Sequence, residues 1–182
     1  MQTELIIAGF GGQGVLFAGQ LLAYTAMEEG LEVTWIPSYG PEMRGGTANC
    51  TVVISDDEIG SPLVRNPQVL LALNRPSLDK YEQSIRAGGL LVANASLIDR
   101  PVERTDLRTV MVPANEIAEG IGSIRMTNMV MLGSLIANLP IVSQEAVIRA
   151  VRAHTSARHQ NLISANIEAI QAGAAYLAEA VA

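Results

Sequence analysis

The chain has 182 residues and a formal net charge of −6; 49% of its residues are hydrophobic and 16% charged. This balance excludes a disordered or fibrous chain and is enough to build one core, hence one domain over residues 1–182, without disulfides or metals. No run of Lys or Arg could follow a phosphate backbone, so nucleic acid is not an expected partner, and the apolar stretch 129–142 is broken by Ser134, Asn138 and Pro140 and falls short of the roughly 20 residues a membrane span needs.

Residues 4–8 form a short apolar run ending in glycines, the pattern of a buried parallel strand entering a tight turn. Over 15–28, Leu16, Leu21, Leu22, Ala26 and Met27 populate one broad helical face, and Gly30 stops the helix. A second strand is predicted over 32–36, an irregular stretch over 38–46, and a β-rich run over 47–54. A second irregular region at 55–67 precedes a strand at 68–73, a helix at 76–86, and strands at 90–94 and 109–113. Helices follow at 114–118, 128–137, 144–153 and 165–180. The alternation predicts an α/β fold: a mainly parallel sheet with helices on both faces, Rossmann-like and three-layered, with a helical second half. Met126, Met129 and Met131 read as core packing.

Cys50 is the only cysteine, so this chain cannot build a disulfide, a structural zinc site or an iron–sulfur cluster from cysteines of its own. Its place in an alternating run predicts a buried, inert thiol. The start of the chain has no basic leader, which makes the cytoplasm the expected location.

Gly9-Phe10-Gly11-Gly12-Gln13-Gly14 satisfies G-x-G-x-x-G between a predicted strand and a predicted helix. Glycines let the backbone turn sharply and approach a ligand, and free N–H groups at a helix start favour phosphate or carboxylate. The competing reading is a tight turn with no ligand. A nicotinamide dinucleotide site would also want an acidic residue at the tip of the second strand; Glu32 stands at its beginning, and Trp35, Ile36 and Pro37 occupy the tip.

A second constellation runs from Pro37 through Ser38, Tyr39, Gly40, Pro41, Glu42, Met43, Arg44 and Gly45 to Gly46. Arg44 beside two glycines is able to grip a phosphate or carboxylate in bidentate fashion, or else to staple the loop through an acidic neighbour. His154 and His159, the only histidines, lie far along the chain, so hydrolytic machinery has little to build on and no metal site is expected.

Taken together, the run from Ala8 to Val15, the run from Pro37 to Cys50, the Ile59-Gly60-Ser61-Pro62 step and Gly88-Gly89 resemble the gamma subunit of 2-oxoacid:ferredoxin oxidoreductases. The resemblance implies a subunit of an enzyme that oxidatively decarboxylates a 2-oxoacid with coenzyme A, giving acyl-CoA, carbon dioxide and reduced ferredoxin. It implies partner subunits, alpha, beta and a ferredoxin-like delta, that hold thiamine diphosphate, magnesium and the [4Fe–4S] clusters. On this chain it implies no catalytic residue, and contact with coenzyme A through Gly9, Gly11, Gly12, Gln13, Gly14, Ser38, Tyr39, Arg44, Gly45 and Gly46. The wording of the second loop is similar to the 2-oxoglutarate type, with pyruvate, branched-chain and indolepyruvate types as relatives. The other readings are a freestanding Rossmann-type nucleotide-binding oxidoreductase and a scaffold that shapes a partner's active site. Sparse charge predicts a homodimer when the subunit is isolated.

Overall fold

A computed structural model describes residues 1–39 and 46–176, with the Tyr39 side chain left aside. Six strands, β1 (Gln2–Phe10), β2 (Glu32–Tyr39), β3 (Thr47–Ser55), β4 (Val69–Ala72), β5 (Leu90–Asn94) and β6 (Arg108–Val112), form one sheet in the order β2-β3-β1-β4-β5-β6. β1, β4, β5 and β6 are parallel neighbours, while β3 runs against both β1 and β2. The mainly parallel sheet is therefore present, with one reversed strand that the strand pattern alone does not announce. The reversal follows from chain length: residues 40–46 suffice for a hairpin, whereas parallel neighbours need a crossover of about a dozen residues or more.

The helices are α1 (Val15–Glu28), α2 (Arg75–Tyr81), α3 (Ala114–Gly120), α4 (Thr127–Asn138), α5 (Gln144–His154) and α6 (Ile163–Ala175). Pleating sends successive strand residues to opposite faces. Leu5, Ile7, Leu71, Val92 and Val112 enter the larger core, which α1 and α3–α6 cover. Ile6, Ala8, Leu70, Ala72, Leu91 and Ala93 enter a smaller core that α2 closes from the other side. Burial on both faces explains why β4 and β5 read as unbroken apolar runs. Met126, Met129 and Met131 lie in the larger core.

Several boundaries differ from expectation: β1 spans Gln2–Phe10 against the expected 4–8, and β2 runs on to Tyr39, into the stretch expected to be irregular from residue 38. The helix expected at 76–86 ends at Tyr81 and gives way to a 3₁₀ turn, Glu82–Ser84. Glu82 there turns inward and is 1% exposed. Its carboxylate accepts the backbone N–H groups of Glu103 (2.5 Å) and Arg104 (3.0 Å) and pairs with Arg100 (2.8 Å). The last helix starts at Ile163, two residues before the expected start, and the end expected at Ala180 lies outside the described residues.

α4 and α6 cross at two glycines. A Cβ on Gly133 would overlap the carbonyl of Ile170, and one on Gly173 would overlap the carbonyl of Val130. The two backbones touch directly, so neither position has a side chain that could yield. Gly173→Ala is expected to cost roughly 1–3 kcal/mol or more, measured by urea unfolding, because overpacking against backbone cannot be relieved by a rotamer change. Burial pushes the Glu82 carboxyl up, but the Arg104 N–H, the Arg100 guanidinium and the Glu103 N–H outweigh it and hold the group below its ordinary 4.5. A depressed folded value means stability that is full above that ordinary value and lost as pH falls through the folded one. Glu82→Gln should therefore cost on the order of 2 kcal/mol at neutral pH, and the gap to the parent protein should close below pH 4.5 in melts recorded across pH.

Candidate functional site

β1 and β4 are parallel neighbours whose outgoing helices, α1 and α2, lie on opposite sheet faces. That divergence makes a topological switch point, where open α/β sheets bind ligands at the carboxyl ends of their strands. The Gly9–Gly14 turn sits there.

Each glycine of the turn has its own constraint. A Cβ on Gly9 would lie 2.7 Å from Gln13 Oε1, 2.8 Å from Val15 Cγ2 and 3.1 Å from Leu73 Cβ. Gly14 caps α1 in the left-handed region at φ 74°, and a Cβ there would overlap the Asn128 amide. Gly12 is left-handed as well, at φ 97°, but faces open space. The turn is pinned by Phe10 N–H to Gln13 Oε1 (2.6 Å), Gln13 N–H to Phe10 O (3.1 Å), Gly11 N–H to Gly46 O (2.9 Å) and Asn128 Nδ2 to Gly14 O (3.1 Å). No side chain caps α1. Among the described residues, the backbone N–H groups of Gly12, Gly14, Val15, Leu16 and Phe17 have no protein acceptor. Those donors and the positive end of a 14-residue helix suit an anion.

A cavity of about 280 Å³ opens over the turn, lined by Phe10, Gly11, Gly12, Gly14, Leu16, Phe17 and Gly46 among others. Phe17 also lines a neighbouring cavity of about 440 Å³ between α1, α5 and α6, where Arg125, His154 and Asn166 contribute polar groups. A larger cavity of about 560 Å³ lies at the opposite end of the sheet, around Met1, Gly88 and Arg108, away from the glycine-rich turn.

Gly9, Gly11, Gly12, Gln13, Gly14 and Gly46 come together as the sequence predicts. Ser38 does not join them: it faces Asn49 across the β2–β3 pair, on the sheet face away from α1, with β3 between it and β1. Arg44, Gly45 and the Tyr39 side chain lie outside the described residues. Cys50 is fully buried beneath α1, where a Cβ on Gly19 would overlap its sulfur. Burial pushes its thiol up to about 12 despite the nearby Trp35 indole, which keeps it protonated and inert. His154 stacks on Tyr24 with ring centroids 4.2 Å apart and bonds Glu28 Oε1 at 2.5 Å, tying α5 to α1. His159 bonds Ser156.

Sequence reasoning misses the asparagines that surround the turn. Asn128 holds Gly14 from the α4 side. Asn74 donates from Nδ2 to Gln13 Oε1 at 3.0 Å, across the switch point. Asn94 bonds the Leu73 carbonyl and Asn115, continuing a row of buried amides along the same sheet edge. Asn74 had a legible signal: with Pro76 just behind, it is a strong helix N-cap, and it accepts Ser77 N–H.

Comparison with known proteins places these observations in context. The family model described as pyruvate ferredoxin/flavodoxin oxidoreductase matches residues 4–176. Ketoisovalerate oxidoreductase subunit VorA of Methanothermobacter marburgensis is 43% identical over 174 residues, covering 95% of this chain. The chain spans only 36% of that relative's length. The 2-oxoglutarate synthase subunit KorC of the same organism is 38% identical over 159 residues, covering 84% of this chain and 86% of KorC. The crystal structure of a keto/oxoacid ferredoxin oxidoreductase gamma subunit from Geobacter sulfurreducens matches with a TM-score of 0.81 at 30% identity, over 94% of this chain and 96% of that one.

The two left-handed glycines of the turn should respond differently to substitution. Gly12→Ala meets only the backbone cost of a positive φ, about 1–2 kcal/mol. Gly14→Ala adds a collision with Asn128 and should cost about 3 kcal/mol, read as a larger drop in urea midpoint at unchanged slope.

Proposed function

Since the chain belongs to the pyruvate ferredoxin/flavodoxin oxidoreductase family, we propose that it is the gamma subunit of a cytoplasmic 2-oxoacid:ferredoxin oxidoreductase. In this reading it works with alpha, beta and ferredoxin-like delta subunits that carry thiamine diphosphate, magnesium and [4Fe–4S] clusters, and ferredoxin accepts the electrons. The thiamine supplies the carbanion chemistry of decarboxylation. This chain supplies a site for coenzyme A, the acyl acceptor.

The observation that carries the reading is the set of N–H groups of Gly12, Gly14, Val15, Leu16 and Phe17 at the switch point, which have no acceptor among the described residues. In this reading they receive the diphosphate of coenzyme A and Leu16 and Phe17 wall the rest of the ligand, while Arg44, outside the described residues, is the cation that the sequence pattern offers. A division of labour fits the remaining residues. The one cysteine is buried and protonated, so it offers no thiolate to a cluster. A dinucleotide enzyme standing alone is less well supported, because Glu32 is at the start of β2 and Trp35, Ile36 and Pro37 follow it toward the ligand end.

Two relatives name different substrates, ketoisovalerate and 2-oxoglutarate, and the Ser38–Cys50 wording favours 2-oxoglutarate. Purified without its partners, the subunit should be colourless, silent with nicotinamides and self-associated through exposed apolar residues such as Phe17 and Ile124. Anaerobic affinity purification from the native cytoplasm, followed by viologen reduction with a panel of 2-oxoacids, tests the assignment. Thiamine- and cluster-bearing subunits should co-purify, and reduction should require coenzyme A; a lone protein active with a nicotinamide would overturn the reading. In the assembled complex, Arg44→Ala should raise the KM for coenzyme A about tenfold, the loss of one charge-assisted contact.

A further inference from the structure

We propose that the cavity between α1, α5 and α6 takes the adenosine 3′-phosphate end of coenzyme A, with Phe17 stacking on the base, the Asn166 amide bonding its edge and Arg125 holding the 3′-phosphate. The inference rests on the reading of the glycine-rich turn as the diphosphate site. A diphosphate divides coenzyme A into two arms. The pantetheine arm carries the thiol and must reach the thiamine of a partner subunit, so the nucleotide arm is the one left for this chain to hold. Room for it adjoins the turn. Phe17 lines both the cavity over the turn and the second cavity, and Asn128, which holds the Gly14 carbonyl, lines the second as well. Small-molecule sites run from about 300 to 1,000 Å³. At about 280 Å³ the first cavity falls short of that range, and at about 440 Å³ the second lies within it.

The lining suits a nucleotide. Phe17 is 36% exposed and offers a ring to stack on. Asn166, in the first turn of α6, is 7% exposed, yet its amide has no hydrogen-bond partner among the described residues. A buried amide is costly when unpaired, and it matches the paired donor and acceptor that adenine presents. None of the described residues that line the cavity is Asp or Glu, although the chain carries a net charge of −6. Of its three basic side chains, two are already engaged, His154 with Tyr24 and Glu28 and His159 with Ser156. Arg125, exposed on the 3₁₀ turn Ile124–Met126, has no carboxylate partner among the described residues. It is the cation left for a phosphate.

Dephospho-coenzyme A, which lacks only the 3′-phosphate, separates the parts of this assignment. In the assembled complex, assayed by viologen reduction, Arg125→Gln should raise the KM for coenzyme A about tenfold, the loss of one charge-assisted contact, and leave the KM for dephospho-coenzyme A unchanged. Phe17→Leu keeps an apolar wall but removes the ring, so it should raise both KM values about tenfold. In both variants the effect should fall on KM far more than on kcat. Both side chains are exposed, so the fold is not at stake. Gly12→Asp is the control for the turn: the position faces open space, Asp tolerates the left-handed backbone, and its carboxylate would repel the diphosphate of either ligand. If Gly12→Asp raises both KM values while Arg125→Gln shifts neither or shifts both alike, or Phe17→Leu shifts neither, the nucleotide arm lies elsewhere and the inference fails while the reading of the turn stands. If Gly12→Asp moves neither KM, the reading of the turn fails and takes the inference with it.

Discussion

A left-handed glycine turn is a weak structure by itself, and here it is held from three directions by groups distant in sequence. Asn128 bonds the Gly14 carbonyl, Asn74 bonds Gln13, and the Gly46 carbonyl receives the Gly11 N–H. These contacts join β1 to α4, to the β4–α2 junction and to the start of β3. The elements that surround the turn are therefore referenced to one short segment of backbone. Buried amides are costly when left unpaired, so such a network favours a single arrangement over its alternatives.

The sheet is loaded unevenly. Five helices cover one face, and α2 with its following loop covers part of the other. On the crowded side, direct backbone contact at Gly133 and Gly173 lets α6 settle against α4. On the sparse side, less apolar surface is available, and an ionic knot around Glu82 with Arg100 and Asp79 anchors the chain between β5 and β6. A buried pair of this kind is weak evidence of net stability, but removing one member leaves an uncompensated charge. Its value is to fix where the chain runs.

Much of this architecture is legible in the sequence because parallel strands buried on both faces leave uninterrupted apolar runs, and because glycine after a strand is hard to misread. Val15–Glu28 and Leu90–Asn94 match their expected bounds. What is not legible is pairing direction: a β-rich run such as Thr47–Ser55 looks the same whichever way its neighbours point. Inward-turning Glu82 is equally silent, since its partners Glu103 and Arg104 lie more than 20 residues downstream. In the site, the glycines declare themselves through local pattern. The asparagines around them do not, because a polar residue shows its use only when the fold brings a partner to it. The position of Ser38 is silent for a related reason: the pattern groups it with the turn, while β3 lies between the two in space.

The reversed strand also bears on how this scaffold can diversify. β2 and β3 are consecutive in the chain and adjacent in the sheet, paired residue for residue from Glu32 with Ser55 to Tyr39 with Ala48. Their shared end lies beside the glycine turn, where Gly46 contacts Gly11. A change in the number or kind of residues between those strands is absorbed at the tip, without disturbing the register on β1 that seats the core. The paired strands are in effect a fixed mount beside that turn, so selection can rewrite the segment that joins them while the foundation beneath is inherited unchanged.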